Sequence, residues 1–375
     1  MKGLRYSQQW IDKSDIAEVV QTLKSDWLTQ GPAIENFEKA VAKYCGAKYA
    51  VAFSSGTAAL HGACAAANIG KGDEVIVPTY TFVASANCVV YCQATPVLVD
   101  VDPNTFCIDP QKVQEKINKK TKAIISVDFA GRPADYDKLL KITDKNKLIL
   151  IEDASQALGG RIKGKKIGSK ADMTIFSLHP VKSITTGEGG IVATNNKDYY
   201  DNLKIFRSHG IVKTQKDGPW HQEMQSLGYN YRLTDIQAAL GISQMKKLDK
   251  FIASRRSIAQ TYIKEFSQQN WFETSPKSYD SAWHLFPIKL NDPALRREVF
   301  EKMHEAGLLV QVHYLPIHLN PFYKKFGYKK GDFPIAEEIY SREISIPIYP
   351  KMTTSDIKKV IKSVNNIFKN IDGKN

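Results

Sequence analysis

The chain has 375 residues, 43% of them hydrophobic, enough to bury one large core and a smaller second one, since single cores stop growing at roughly 250–300 residues. Its net charge of +13 comes from lysines scattered through helical patterns (Lys116, Lys119, Lys120, Lys138, Lys141), not from basic stripes interleaved with aromatics, so no nucleic-acid partner is expected. No apolar run approaches the ~18–20 residues a membrane helix needs, and no basic-then-apolar leader opens the chain, so a cytoplasmic protein without a membrane partner is expected. The five cysteines (Cys45, Cys64, Cys88, Cys92, Cys107) show no paired metal-ligand spacing. They read as buried small hydrophobes in a reducing compartment, and no metal is expected.

From Tyr49 onward, short apolar runs alternate with helical patterns: YAVAF (49–53), EVIVP (74–78), TPVLVDVD (95–102), TKAIISVDF (121–129) and KLILIEDA (147–154). The runs are nearly continuous in Val, Ile and Leu, as in strands covered by helices on both faces, and the spacing predicts an α/β fold with a mainly parallel sheet. Helices are predicted between them over 81–91, 109–118 and 133–145. ADMTIFS (171–177) adds a strand and TTGEGGIVATN (185–195) a hairpin-like stretch. A long helical pattern follows from Thr234, a good N-cap, to Gln268. From about Ser281, strands (HLFPIKL, LLVQVHY) mix with helices over 295–306 and 354–371. The expected organisation is a large domain over 1–250 and a smaller α+β domain over 251–375.

Three places carry chemistry. Ser54-Ser55-Gly56-Thr57 follows a strand and opens an Ala-rich helical stretch, which presents free N–H groups and a helix dipole to an anion. Taken alone, small hydroxyl residues before a helix are more often plain N-caps. Asp153 ends the apolar strand LILIE, where open α/β sheets place ligand crevices, and a carboxylate there requires a cation or strong donors. It could also cap the next segment. Lys182, in SLHPVKSITTGEGG, follows the next strand; a lysine forms a Schiff base only when its amine is partly neutral, as desolvation would make it.

Taken together, SSGTAAL, PTYTFVASAN, EDASQALGG, SLHPVKSITTGEGG, FRSHGI and LGYNYRLTDIQAALG resemble the DegT-type sugar-nucleotide aminotransferases, fold-type I enzymes dependent on pyridoxal 5'-phosphate (PLP). The resemblance runs from LTQG (28–31) to HYLPIHLNPFY (313–323). It implies that Lys182 holds PLP, that Asp153 pairs with the pyridine nitrogen, and that Gln156 faces the phenolic oxygen. Ser55, Gly56, Thr57 and Ser177 would hold the phosphate, and Phe82 would stack on the ring. Asn230 would reach the phosphate from a second subunit, making a homodimer with shared active sites. Thr29, Gly31, His209, His313 and Tyr314 would line the substrate pocket.

The motifs look most like the pseudaminic acid branch. That implies transfer of the amino group of L-glutamate, through pyridoxamine 5'-phosphate, to UDP-2-acetamido-2,6-dideoxy-β-L-arabino-hex-4-ulose. The alternative is another nucleotide-linked 4-keto-6-deoxy sugar, of the GDP-perosamine or viosamine type. Some pseudaminic acid enzymes carry His where Gln156 stands and Pro where Ser183 stands, positions that bear on the substrate more than on the reaction. A sugar dehydratase on the same scaffold would carry His in place of Lys182. A regulator that had lost the chemistry would lack Lys182, Asp153 or the phosphate loop.

Overall fold

Seven strands form the central sheet of the computed structural model, which describes residues 3–274 and 280–372. They are β1 (Tyr49–Phe53), β2 (Glu74–Pro78), β3 (Thr95–Val99), β4 (Thr121–Val127), β5 (Ile149–Asp153), β6 (Met173–Ser177) and β7 (Gly190–Thr194). Their order across the sheet is β1-β7-β6-β5-β4-β2-β3, parallel except for β7, which runs antiparallel to both neighbours. The interior strands are buried almost throughout, which is why they read as unbroken apolar runs.

Two helices that the sequence pattern left unassigned precede the sheet. Helix α1 (Lys13–Leu23) begins with Asp12 and Asp15 capping each other's backbone, and α2 (Pro32–Cys45) has Pro at its first turn and Gly46 in the left-handed conformation at its end. Next come α3 (Gly56–Ala66), α4 (Ala84–Tyr91), α5 (Pro110–Lys116), α6 (Tyr136–Asn146) and α7 (Lys197–Arg207). Helix α3 packs against β6 and β7, α4 against β2 and β3, α6 against β5, and α2 and α7 against β1.

The long helical pattern from Thr234 is in fact two helices, α8 (Asp235–Met245) and α9 (Leu248–Phe266), with Thr234 capping the first. Two hydrophobic clusters meet along α9: Leu248, Phe251 and Ile252 belong to the larger, and Ile258, Tyr262 and Phe266 to the smaller. The smaller cluster packs a three-stranded antiparallel sheet, β8 (Phe272–Thr274), β9 (Phe286–Leu290) and β10 (Glu343–Ile346), with α10 (Arg296–Glu305) and α12 (Thr354–Asp372). Between these two helices, α11 (Pro334–Arg342) and the turns before it return to the larger cluster through Ile317, Tyr323 and Ile339.

One expected strand is largely absent. In LLVQVHY only Leu308–Leu309 is a strand, paired with Leu4–Arg5. Beyond the single bridge from Gln311 to Ser345, the segment is anchored by side chains that carry His313 and Tyr314 to the ends of the large sheet's strands. The cysteines are free as expected; four are buried, while Cys92 is half-exposed.

Candidate active site

A cavity of about 420 Å³ opens at the C-terminal ends of β1, β2, β5 and β6. Successive crossovers of a parallel sheet leave such a crevice, and loops there gather polar groups without breaking the core. Its lining includes Ser55, Gly56, Thr57, Phe82, Asp153, Gln156, Ser177 and Lys182, together with His313 and Tyr314. The sequence-predicted cofactor positions of the large sheet thus converge, and two of the five predicted substrate positions join them.

The N-terminus of α3 faces the cavity. Ser55 adopts an extended conformation and its hydroxyl accepts the Ala58 N–H at 3.1 Å, which leaves the Gly56 and Thr57 amides pointing outward. A Cβ at Gly56 would lie 3.0 Å from Cβ of Ser177 and 3.2 Å from its hydroxyl, so glycine lets strand and helix end approach closely enough to share one anion. This is a cradle fitted to a phosphate.

Asp153 projects from the end of β5, 5% exposed. Ser85 Oγ donates to Oδ2 at 2.6 Å and the Ser155 N–H to Oδ1 at 3.2 Å, two bonds that fix the carboxylate in place. Gln156 is oriented by the Ala130 N–H, which donates to its Oε1 at 2.7 Å; its amide nitrogen therefore faces the cavity and donates to the Tyr314 hydroxyl at 3.1 Å. Phe82 is 54% exposed although it lines the cavity, an apolar ring uncovered at a polar site, and it stands 5.7 Å from the Tyr314 ring.

Lys182 sits in a loop held by its own turns: the Thr186 N–H and the Thr185 hydroxyl both donate to the Leu178 carbonyl, and the Lys182 N–H donates to that of His179. From below, the buried Arg255 guanidinium and the Ser7 hydroxyl donate to the Val181 carbonyl, and Arg255 also reaches the carbonyls of Trp283, His284 and Ile348. Desolvation lowers the Lys182 amine to about 8; Asp153 opposes that shift and Arg255 adds to it. A partly neutral amine facing a carboxylate across a cavity suits Schiff-base and proton-transfer chemistry.

Taken together, an anion cradle, a fixed carboxylate, a forward-facing amide, an exposed aromatic and a lowered lysine fit PLP, which would supply the electron sink for amino-group transfer. Lys182 would hold it, Asp153 would face its ring nitrogen and the α3 terminus its phosphate.

The remaining predicted positions lie outside this chain's cavity. The Gly31 N–H is bound by Asp235 at 2.8 Å, and Thr29 bridges Thr234. His209 is exposed and its N–H donates to the Tyr229 carbonyl; Asn230, also exposed, bridges Ser208. Conversely, Tyr6, Ser85 and His284 belong to the site and were not expected. The link between Ser85 and Asp153 spans 68 positions, and no local motif announces it.

Known proteins match along most of the chain. A UDP-4-amino-4,6-dideoxy-N-acetyl-beta-L-altrosamine transaminase of Campylobacter jejuni is 40% identical over 98% of each chain, and the GDP-perosamine synthase of Caulobacter vibrioides is 36% identical over 95% of this chain and 96% of its own. Among solved structures, PseC of Helicobacter pylori, an aminotransferase involved in pseudoaminic acid biosynthesis, superposes with a TM-score of 0.93 at 34% identity, covering 98% of this chain and 100% of that one. Spr1654 of Streptococcus pneumoniae in its PLP-form does so with a TM-score of 0.93 at 29% identity, covering 98% and 99%. With the DegT/DnrJ/EryC1/StrS aminotransferase family matching residues 9–365 and the cavity fitted to PLP, the chain belongs to that family and is a PLP-dependent sugar aminotransferase.

Proposed function

We propose that this enzyme moves the amino group of L-glutamate to C4 of UDP-2-acetamido-2,6-dideoxy-β-L-arabino-hex-4-ulose, a step in making pseudaminic acid. The observation that carries the reaction is that Lys182 and Asp153 line one cavity with the α3 terminus, where burial lowers the Lys182 amine to about 8. The choice of sugar rests on the 40% identity to the altrosamine transaminase.

In this reading Asp153 keeps the cofactor's ring nitrogen protonated, and Ser85 keeps Asp153 in place. Gln156 would present its amide to the phenolic oxygen, Phe82 would cover the ring, and the Gly56 and Thr57 amides with Ser177 would hold the phosphate. The Lys182 amine takes the proton from the α-carbon of glutamate and returns one in the sugar half-reaction. One set of groups serves both directions, so kinetics are ping-pong.

The active unit is a homodimer. Asn230 and His209 lie on a surface where Trp220 and Leu227 are each 74% exposed and Met224 is 69% exposed, a cluster of apolar side chains that a second copy would cover. From there Asn230 would reach the second copy's phosphate cradle. Five free thiols fit a cytoplasmic setting.

The test is spectroscopic. The protein loaded with PLP shows the visible band of lysine-bound cofactor, L-glutamate alone removes it, and the UDP-linked 4-keto sugar restores it. Restoration by GDP-4-keto-6-deoxymannose instead would establish the perosamine-type reading, which the relative at 36% identity favours. Retention of the band in Lys182→Ala would overturn the assignment of the lysine.

A further inference from the structure

His313, in the cavity lining, heads a buried chain of three polar groups that the reaction above does not use. His313 Nδ1 lies 2.9 Å from Ser345 Oγ, and Ser345 Oγ lies 2.5 Å from Glu343 Oε1. All three residues are 5% exposed or less. The His313 backbone is clamped as well: its N–H donates to Glu343 Oε2 at 2.8 Å, and its carbonyl accepts the Tyr80 hydroxyl at 2.5 Å. With Nδ1 engaged, Nε2 is the ring nitrogen left for the cavity that His313 lines.

A serine hydroxyl has one proton and a neutral imidazole has one N–H, so the chain runs in only two directions. When Glu343 is ionised it can only accept. Ser345 then donates to it, His313 donates from Nδ1 to Ser345, and Nε2 is a bare acceptor. When Glu343 carries a proton it donates to Ser345, Ser345 donates to Nδ1, and the imidazole proton sits on Nε2.

We propose that Glu343 and Ser345 are positioning residues that set the tautomer of His313, making its Nε2–H a hydrogen-bond donor to a substrate oxygen while Glu343 is protonated and removing that donor once Glu343 ionises. The inference deepens the aminotransferase reading and rests on it for the identity of the oxygen, a glutamate carboxylate or the sugar's keto group. The surroundings place the switch near neutral pH. Burial pushes the Glu343 carboxyl up to about 8, against the opposing bonds from Ser345 and the His313 N–H and the charge of Arg296, while burial and the nearby Lys182 push His313 down to about 3, so the imidazole stays neutral throughout. Tyr80 and Tyr314 also face Glu343, and both stay neutral in this range because burial raises them further. His284, held neutral by its own burial, and the Tyr6 ring, 4.9 Å away, complete the environment of His313.

The experiment reads the tautomer directly. Long-range proton–nitrogen correlation spectra of histidine-labelled protein, recorded without and with PLP from pH 6.5 to 9.5, distinguish Nδ1–H from Nε2–H imidazole, with His313→Gln assigning the signal. His313 is expected to pass from Nε2–H to Nδ1–H as pH rises through about 8. Glu343→Gln is expected to hold Nε2–H throughout, because the amide donates to Ser345 at every pH, and Ser345→Ala to uncouple the ring from Glu343.

In the separated half-reactions, KM for glutamate or for the keto sugar is expected to rise about tenfold above pH 8 in the native enzyme and not in Glu343→Gln, the worth of one charge-assisted hydrogen bond. The half-reaction affected identifies the oxygen. The Lys182 titration is common to both proteins and cancels in the comparison. A His313 tautomer that is constant with pH, or that still changes in Glu343→Gln, overturns the proposal. A tautomer that switches in a protein glutamate cannot turn over would leave the relay standing and overturn the aminotransferase substrate instead.

Discussion

The two walls of the cavity are built differently. On one side, Ser55, Gly56, Thr57, Asp153 and Ser177 stand at or just beyond strand ends of the large sheet, so the backbone of regular elements sets their positions. On the other, His313 and Tyr314 come from an irregular segment and are aimed by contacts to Tyr80, Gln156, Glu343 and Ser345, while His284 is held through its backbone N–H, which donates to the Ala130 carbonyl. The first wall is rigid because the sheet is rigid; it suits a cofactor that every turnover uses in the same way. The second is held by hydrogen bonds whose direction can change, which suits contacts that must serve two substrates in turn.

Substitutions probe the first wall and the lysine it faces, beginning with the severest. Lys182→Ala is expected to lower kcat for both half-reactions by 10³-fold or more on the order expected for lost acid–base and nucleophilic catalysis, measured by single-turnover absorbance. Asp153→Asn should cost roughly 10²-fold in kcat through the lost charge on the ring nitrogen, and an unchanged kcat would remove Asp153 from its assigned role. Gly56→Ala forces a Cβ to 3.0 Å from Ser177, and should weaken PLP binding about tenfold or more in equilibrium dialysis while leaving the glutamate half-reaction of the saturated enzyme nearly intact. Ser85→Ala removes one bond of 2.6 Å to Asp153, and about 1 kcal/mol, roughly fivefold in kcat, is the expected loss.

Stability sharpens the comparison from the side of the fold. Burial raises the Glu152 carboxyl and Asp128 beside it above the ordinary carboxylate range, and Glu343 to about 8. In the unfolded chain these groups release their protons near pH 4–4.5, so between there and about pH 8 the native state binds more protons than the unfolded one. Their contribution to stability is therefore full at low pH and is lost as pH rises through about 8. The buried His284, His313 and Lys182, lowered by the fold, pull the other way, so the test is a comparison: urea midpoints at pH 5.5 and 8.5 should fall less, or rise more, in Glu152→Gln and Glu343→Gln than in the native protein, by on the order of 1–3 kcal/mol. An identical pH dependence in all three proteins would contradict it.

The first wall was legible because its chemistry follows regular elements at short distance along the chain. The run SSGT directly follows β1, Asp153 ends β5, and Lys182 lies five residues past Ser177, the last residue of β6. Tyr6 and His284 escaped, since nothing near them in the chain marks them; Ser85 lies within PTYTFVASAN, but its bond to Asp153 joins positions 68 apart, as the bond from Gln156 to Tyr314 joins positions 158 apart. The predicted strand 308–314 failed for a related reason. Its apolar pattern is real, but beyond Leu309 the segment is anchored through the Gln311 bridge and the His313 bonds to Glu343 and Tyr80, not by a strand ladder. The single helix expected from Thr234 split near Lys246 and Lys247, where neither the charge pattern nor a Gly or Pro announces a break.

The order of amino acids alone laid down the alternation of strands and helices, the cofactor groups at the strand ends and the family to which they belong, because these depend on periodicity and on neighbours a few residues apart. The fold assigned the second wall, the neutral lean of Lys182 and the protonation of Glu343. Those depend on how much water is excluded from a group and which way its hydrogen bonds run, and neither exists until distant segments have met.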